Sequence, residues 1–127
     1  GLGRFVRMEK DFIGRDALAT KHGEAGPAGG VAATGLRLCT WTVETEPGRA
    51  GFDVIGDEPI WHKGEVVGWV TSGGYAHHSE ASVAMGYVPA ELTGSPGRFE
   101  IEIVGTRRPA KPVDRCLWDS EGTRMRG

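Results

Sequence analysis

The stretch Pro59-Ile-Trp-His-Lys-Gly-Glu-Val-Val-Gly-Trp-Val-Thr71 indicates the fold class of this chain. Two runs rich in β-branched and aromatic residues flank Lys63-Gly64, and a two-residue link that contains glycine is typical of a tight β-hairpin. The sequence therefore predicts strands over residues 59–62 and 65–71 that pair with each other in antiparallel order.

Similar patterns recur on both sides of this hairpin. Four further strands are predicted, over residues 36–43, 82–88, 98–104 and 107–113. In Phe99-Glu-Ile-Glu-Ile103 apolar and charged residues alternate, so we expect Phe99, Ile101 and Ile103 to face the core and Glu100 and Glu102 to face water. Because proline cannot donate to a ladder, Pro109 and Pro112 predict that the last strand lies at a sheet edge.

These strands favour an all-β fold, a small six-stranded antiparallel β-barrel with a short helical lead-in at its N-terminus. The helix is predicted over residues 14–22, ahead of a flexible loop over residues 23–30 that holds four of the 21 glycines. We accordingly divide the chain into a connector with helix and loop, residues 1–30, and a barrel domain, residues 31–127.

Composition limits the classes of partner. The 127 residues suffice for one domain with one core, and a net charge of -2 gives no reason to expect nucleic acid or an anionic membrane surface. No apolar run approaches the roughly 20 residues of a membrane span. The chain opens on Gly1 and is interpreted as a piece of a longer or processed protein. Cys39 and Cys116 match no metal or redox spacing, and we expect free thiols.

Several polar groups could suggest chemistry, but each has a simpler interpretation. His77-His78 would present its rings to opposite faces of an extended chain and lacks a third ligand nearby, which favours a surface loop over a metal site. Asp53, Asp57 and Glu58 lack calcium-loop spacing and predict a solvated loop. The basic group Arg107, Arg108 and Lys111 is interpreted as charge that protects a strand edge.

Two further segments remain as candidate sites. Thr71-Ser-Gly-Gly-Tyr75 is predicted to be a turn after a strand, where glycine allows a sharp change of direction or a close approach to another surface. In the C-terminal tail, Arg124 and Arg126 could recognise carboxylates if the tail is held down, whereas an unattached polar terminus would fray. No catalytic acid, base, nucleophile or metal set can be assembled from the sequence.

The chain resembles a known family, the C-terminal barrel domain of the glycine-cleavage T-protein (aminomethyltransferase) family. The resemblance rests on blocks in the same order: Asp11-Phe-Ile-Gly-Arg-Asp-Ala-Leu18, Glu58 to Gly74 with its Gly-Trp-Val-Thr-Ser-Gly-Gly end, Ala84-Met-Gly-Tyr-Val-Pro89, and Phe99-Glu-Ile-Glu-Ile-Val-Gly105 with Arg107-Arg-Pro-Ala110. Trp61-His62, Ser72-Gly-Gly-Tyr75 and the tail from Asp119 to Arg126 look more like the dimethylglycine and sarcosine dehydrogenase branch.

This resemblance implies a parent enzyme that moves a one-carbon unit from an amine to tetrahydrofolate. In such a parent the folate site and the catalytic aspartate lie mainly in an N-terminal region, and the barrel covers the folate channel of that region. The dehydrogenase branch carries FAD on a separate upstream domain. The resemblance places folate contacts at Arg124, Arg126 and Tyr75, gives this chain no catalytic residue, and implies no turnover by the chain alone.

A rival hypothesis from another class is an independent β-barrel interaction module with no catalytic role. The two hypotheses differ in what precedes Gly1, since a folate enzyme requires a long upstream region. For the folate enzyme we expect a cytoplasmic protein in a bacterium or a mitochondrial protein in a eukaryote.

Overall fold

The computed structural model describes residues 6–22, 35–45, 52–94 and 97–126. The chain forms two compact units, Gly1–Leu36 and Arg37–Gly127. The predicted boundary between residues 30 and 31 stays a prediction, and the predicted glycine-rich loop, residues 23–30, lies outside the described residues. Among the described residues, no helix has the length and apolar character needed to cross a membrane.

The first unit contains the helix α1, Arg15–His22. Gly14 precedes it with a φ of 87°, a backbone conformation that glycine adopts at little cost, so the helix begins at Arg15. Asp16 lies in the first turn, where the positive end of the helix dipole favours a carboxylate. The predicted helix over residues 14–22 is confirmed to within one residue.

The second unit is a closed barrel of six strands. They are β1 (Leu36–Val43), β2 (Pro59–His62), β3 (Glu65–Ala76), β4 (Ala81–Pro89), β5 (Phe99–Ile103) and β6 (Thr106–Pro112). Around the barrel the strands follow the order β1-β4-β3-β2-β5-β6. A 3₁₀ turn follows β4 at Ala90–Leu92, and a one-turn helix α2, Thr123–Arg126, lies near the C-terminus. The predicted six-stranded antiparallel barrel is confirmed.

Two tight turns set the register of the hairpins. Lys63 and Gly64, between β2 and β3, have φ values of 51° and 86°. Val104 and Gly105 join β5 to β6 with φ values of 48° and 73°. Positive φ at both central residues is the type I′ geometry, whose twist matches that of the flanking strands. The hairpin predicted from Lys63-Gly64 is confirmed.

The interior of the barrel is apolar and is built from inward-facing positions of all six strands and one loop residue. Its buried members are Trp41, Val43, Val54, Ile60, Val70, Ala84, Val88, Phe99, Ile101, Ile103 and Ala110. Phe99, Ile101 and Ile103 are buried, as predicted, whereas Glu100 and Glu102, predicted to face water, are half-buried, and Glu102 pairs with Arg107. The rings of Trp41 and Phe99 pack at an angle of 56°, with their centroids 5.7 Å apart.

The prediction that the last strand lies at a sheet edge is wrong. β6 pairs with β5 on one side and with β1 on the other, so the ring of strands has no edge there. Proline is tolerated in this strand because its carbonyl still accepts: the Glu44 amide donates to the Pro109 carbonyl at 2.9 Å. Since β6 has no free edge, the interpretation of Arg107, Arg108 and Lys111 as charges that protect a strand edge is also wrong. The Nζ atom of Lys111 instead forms an ion pair with Oε1 of Glu44, at 3.3 Å.

The prediction of a turn at residues 71–75 is also wrong, since β3 continues through this segment to Ala76. A bulge between Val70 and Ser72 lets the strand bend without ending. The close approach expected of these glycines is present: a Cβ on Gly73 would lie 2.7 Å from the Cβ of Val54. Glycine at this position therefore lets the loop residue Val54 pack on the strand.

The acidic loop is more ordered than the sequence predicts. The carboxylate of Glu58 accepts hydrogen bonds from the amides of Ile55 and Gly56, both at 2.8 Å. The fully buried hydroxyl of Ser82 on β4 donates to Asp53 at 3.1 Å. Asp57 is exposed, as expected of a solvated loop. Two of the three acidic residues thus stabilise the loop and its contact with the barrel.

The Ile101→Ala variant tests which face of β5 is buried. Removing a fully buried isoleucine from the packed interior should lower the free energy of unfolding by about 2–5 kcal/mol. The matched control is Ile55→Ala, since Ile55 is 83% exposed, and its change should stay within about 0.5 kcal/mol. Chemical denaturation measures both variants. Equal losses for the two would show that the inward face is misassigned.

Candidate functional site

The predicted site residues lie on two segments of the barrel unit. One is the β3–β4 turn, residues 77–80, together with the end of β3 that leads into it. The other is the C-terminal tail, residues 114–126, which follows β6 and ends in α2. The tail begins directly after Val113, whose amide donates to the Thr40 carbonyl of β1 at 2.8 Å.

The end of the β3–β4 hairpin is held by ladder pairing and by ring contacts. Tyr75 on β3 lies opposite the buried Ser82 of β4. Its ring meets that of His77 edge to face, with centroids 5.0 Å apart. Tyr75 is 41% exposed, so its ring is fixed on one side and open to solvent on the other.

The C-terminal tail is folded and not frayed. Arg115 and Glu121 form an ion pair at 2.8 Å. The carboxylate of Asp119 accepts from the amide of Thr123 at 2.9 Å, from its hydroxyl at 3.0 Å and from the amide of Arg124 at 3.2 Å. These bonds satisfy the free amides at the start of α2. The tail is therefore held by hydrogen bonds and an ion pair among its own residues.

The two arginines of the tail differ in what their guanidinium groups contact. Arg126 donates through Nε to the Gly122 carbonyl at 3.2 Å and through Nη2 to the Glu121 carbonyl. Arg126 therefore closes the tail on itself. Arg124 instead lies over the ring of Trp118, 4.6 Å from its centroid. Within the described residues, the Arg124 guanidinium forms no ion pair with a carboxylate, so its N–H donors remain available to a ligand.

Trp118 connects the tail to the barrel. Its ring lies next to that of His78 on the β3–β4 turn. Arg124, Trp118 and His78 thus form a continuous row of contacts. Trp118 is 46% exposed, so part of its ring is open to solvent.

The three predicted site residues therefore differ in their positions and contacts. Tyr75 and Arg124 lie on the two segments that the contact of His78 with Trp118 brings together, while the guanidinium of Arg126 is engaged within the tail. Sequence reasoning missed the contact of Trp118 with His78 and the bonds from Asp119 to the start of α2. The usual helix-cap spacing does not give the second, because Asp119 lies four residues before Thr123 and not directly before the helix.

The histidine pair and the two cysteines were also considered as possible metal or thiol sites. His77 and His78 are both exposed on the turn and face different rings, in agreement with the predicted surface loop. The described residues contain no group of three or more side chains placed to hold a metal ion. Cys39 and Cys116 are free thiols. Burial raises the pKa of the Cys39 thiol, and the nearby Arg37 opposes this only in part.

Comparison with known families decides the class of this barrel. Residues 37–119 match the family described as the glycine cleavage T-protein C-terminal barrel domain. The chain belongs to this family. The match covers more than half of the chain and includes all the barrel strands described above except the first residue of β1. The resemblance inferred from the four sequence blocks is confirmed.

Curated relatives come from both branches suggested by the sequence. The chain is 35% identical over 130 aligned residues to dimethylglycine dehydrogenase, mitochondrial, from Rattus norvegicus, and 36% identical to the protein of that name from Homo sapiens. An aminomethyltransferase from Parasynechococcus marenigrum is 38% identical over 120 residues. These alignments cover 93–99% of this chain, 13–14% of the two dehydrogenases and 29% of the aminomethyltransferase. The chain therefore spans a small part of its relatives.

The Asp119→Ala variant tests how the tail is folded. Without the carboxylate, the amides of Thr123 and Arg124 lose their acceptor, so their hydrogen exchange should rise by about fivefold, given a typical cap contribution of about 1 kcal/mol. Asp119→Asn is the control, because asparagine keeps an acceptor and tolerates the positive φ of 44° at this position. Unchanged exchange at both amides in Asp119→Ala would contradict the described cap.

Proposed function

We propose that this chain is the C-terminal barrel of a tetrahydrofolate-dependent enzyme that transfers a one-carbon unit from an amine or removes one from it. In the parent protein, the barrel covers the folate channel of an N-terminal region. The observation that carries the proposal is the match of residues 37–119 to the T-protein barrel, supported by relatives named aminomethyltransferase and dimethylglycine dehydrogenase. The barrel alone supplies one wall of such a site and is expected to give no turnover.

The donors on the tail fit the ligand that the family implies. Reduced folates end in carboxylates, and the Arg124 guanidinium is a planar fork that can bind a carboxylate through two hydrogen bonds. It is exposed, it lies against Trp118, and no carboxylate of the described residues neutralises it. Tyr75 adds an exposed ring with a hydroxyl at the other segment of the site. We therefore assign Arg124 and Tyr75 as direct folate contacts and Arg126 a supporting role in the tail.

An exposed apolar group on the outer face of β3 and β4 supports a partner surface. Trp69 and Tyr87 lie opposite each other in the ladder with ring centroids 6.2 Å apart, and Met85 lies two residues from Tyr87 on the same face. These side chains are 45%, 37% and 37% exposed. We assign this face to packing against the N-terminal region of the parent protein; the chain covers 14% of one relative and 29% of another, so most of each relative lies outside the aligned part.

An independent interaction module is the second candidate, and the same apolar face favours it. A separate partner protein would cover Trp69, Tyr87 and Met85 as well as an upstream domain of the same chain would. The two candidates differ in ligand chemistry, because only the first requires Arg124 to meet a folate. FAD on an upstream domain, and a cytoplasmic or mitochondrial location, stay predictions that rest on the parent enzyme.

The two tail arginines provide a matched pair of variants in the full-length parent. Arg124→Ala should weaken binding of a reduced folate by about tenfold to a hundredfold, because a hydrogen bond to a charged group contributes roughly 1.5–3 kcal/mol. Arg126→Ala should weaken binding much less, since its guanidinium bonds to carbonyls of the tail. Calorimetric titration measures both. Full affinity in both variants would remove the tail from the site.

Oxidative footprinting of Trp69 and Met85 tests the assigned packing face. Both side chains are partly exposed in the barrel and should react with hydroxyl radicals in the isolated 127-residue chain. In the full-length parent their labelling should fall several-fold, because packing against the N-terminal region excludes the reagent. Equal labelling rates in the isolated chain and in the parent would show that this face stays open to solvent.

A further inference from the structure

One end of the barrel carries large apolar side chains that the barrel itself leaves exposed. Phe52 and Ile55, in the loop before β2, are 66% and 83% exposed, and Val104, in the β5–β6 turn, is 72% exposed. Ile60 of β2 lies opposite Ile101 of β5 in antiparallel order, so the chain before β2 and the chain after β5 lie at the same end of the barrel. We call Phe52, Ile55 and Val104 the barrel-end surface.

The loop that carries Phe52 and Ile55 is anchored, so their exposure does not come from a loose chain. Val54, which lies between them, is fully buried, and a Cβ on Gly73 would lie 2.7 Å from the Cβ of Val54. Glu58 accepts a hydrogen bond from the Ile55 amide at 2.8 Å. Since these contacts already order the loop, a partner that covers it would not have to supply the cost of ordering it.

The backbone conformation of Val104 also favours a contact role. Val104 is the first residue of a two-residue turn and has a φ of 48°. Such turns favour asparagine, aspartate or glycine, because a β-branched residue adopts a positive φ only with strain. The side chain is 72% exposed, so packing within the barrel offsets little of that strain. An exposed apolar residue in a strained conformation is typical of a functional surface.

We infer that the barrel-end surface is a second contact surface for the N-terminal region of the parent protein. The existence of that region rests on the function proposed above. Pro59, which follows the loop, pairs with Trp69 of the outer face of β3 and β4, so the two surfaces adjoin and one partner can cover both. The chain covers 14% of one relative and 29% of another, which leaves enough polypeptide outside the aligned part for this role.

The charge beside the barrel-end surface specifies the chemistry of the covering region. Continued by three residues, the pairing of Ile60 with Ile101 brings Asp57 alongside Val104. Asp57 is exposed, and within the described residues its carboxylate forms no ion pair. Covering a carboxylate without a counter-charge is costly. The covering region is therefore expected to offer an apolar patch with a lysine or arginine at its rim.

Cysteine labelling in the full-length protein that carries this chain tests the inference. Ile55→Cys and Val104→Cys should react with iodoacetamide about tenfold or more slowly in the folded protein than in denaturant, because the N-terminal region excludes the reagent. Lys63→Cys is the control, since Lys63 is exposed in the turn at the other end of the barrel, and should react at close to its rate in denaturant. Peptide mapping separates the introduced thiols from Cys39 and Cys116.

Three outcomes of the labelling would overturn the inference. The first is reaction of Ile55→Cys and Val104→Cys at their rates in denaturant, and the second is equal slowing of Lys63→Cys. The third is protection that disappears on dilution, which would indicate a second copy of the chain, because contact within one polypeptide does not depend on concentration. The labelling does not involve folate. A parent that protects both positions but binds no reduced folate would keep this interface and lose the proposed ligand.

The Val104→Asn variant separates the contact from the stability of the turn. Asparagine tolerates a positive φ, so the folding equilibrium of the 127-residue chain should shift toward the folded state by about twofold to tenfold. In the full-length protein the same change should speed the labelling of Ile55→Cys several-fold, because a polar amide replaces an apolar contact. A residue that serves only the turn would not loosen the interface. Unchanged or slower labelling of Ile55→Cys would therefore remove Val104 from it.

Discussion

Pairing of β6 with β1 closes the barrel, and the rest of the structure depends on it. Trp41 lies opposite Pro112 and Val43 opposite Ala110, so segments about 70 positions apart share one ladder. This closure buries Trp41 against Phe99 and seals the apolar interior. It also determines where the tail starts, because the bond from Val113 to Thr40 extends the β1–β6 pair by one residue. Since β4 is the other neighbour of β1, the tail leaves the barrel one strand away from the hairpin that it contacts.

Much of the fold could be predicted because local patterns and the final ladder agree. Alternation in Phe99-Glu-Ile-Glu-Ile103 identified the buried face, and Lys63-Gly64 identified a two-residue hairpin turn. The edge assignment of β6 failed because proline limits donation but does not prevent a strand from accepting on both sides. The turn assigned to residues 71–75 failed because the two glycines serve a bulged, continuous strand. In both cases a local preference was overridden by long-range pairing.

The candidate site was only partly predictable for the same reason. Family resemblance gave Tyr75, Arg124 and Arg126 as candidates, and their contact with folate stays a prediction. No sequence pattern distinguishes a guanidinium that bonds within its own tail from one that lies over Trp118. His78 lies next to Trp118, 40 positions later in the chain, and no local spacing predicts that these residues meet. Asp119 bonds to the start of α2 from four residues before it, which differs from the usual cap spacing. The barrel thus carries a folded tail in which the Arg124 guanidinium lies over Trp118 and, as far as the described residues show, forms no ion pair.

The central claim is that this barrel is one wall of a folate site whose other wall lies in an N-terminal region. A complementation titration tests it most directly: the affinity for a reduced folate is measured for the 127-residue chain, for the N-terminal region expressed separately, and for an equimolar mixture of the two. The account predicts weak or no binding by the 127-residue chain and a marked gain for the mixture over either part, because a half site leaves most of the ligand in water. Binding by the 127-residue chain alone as tight as that of the mixture would contradict the account.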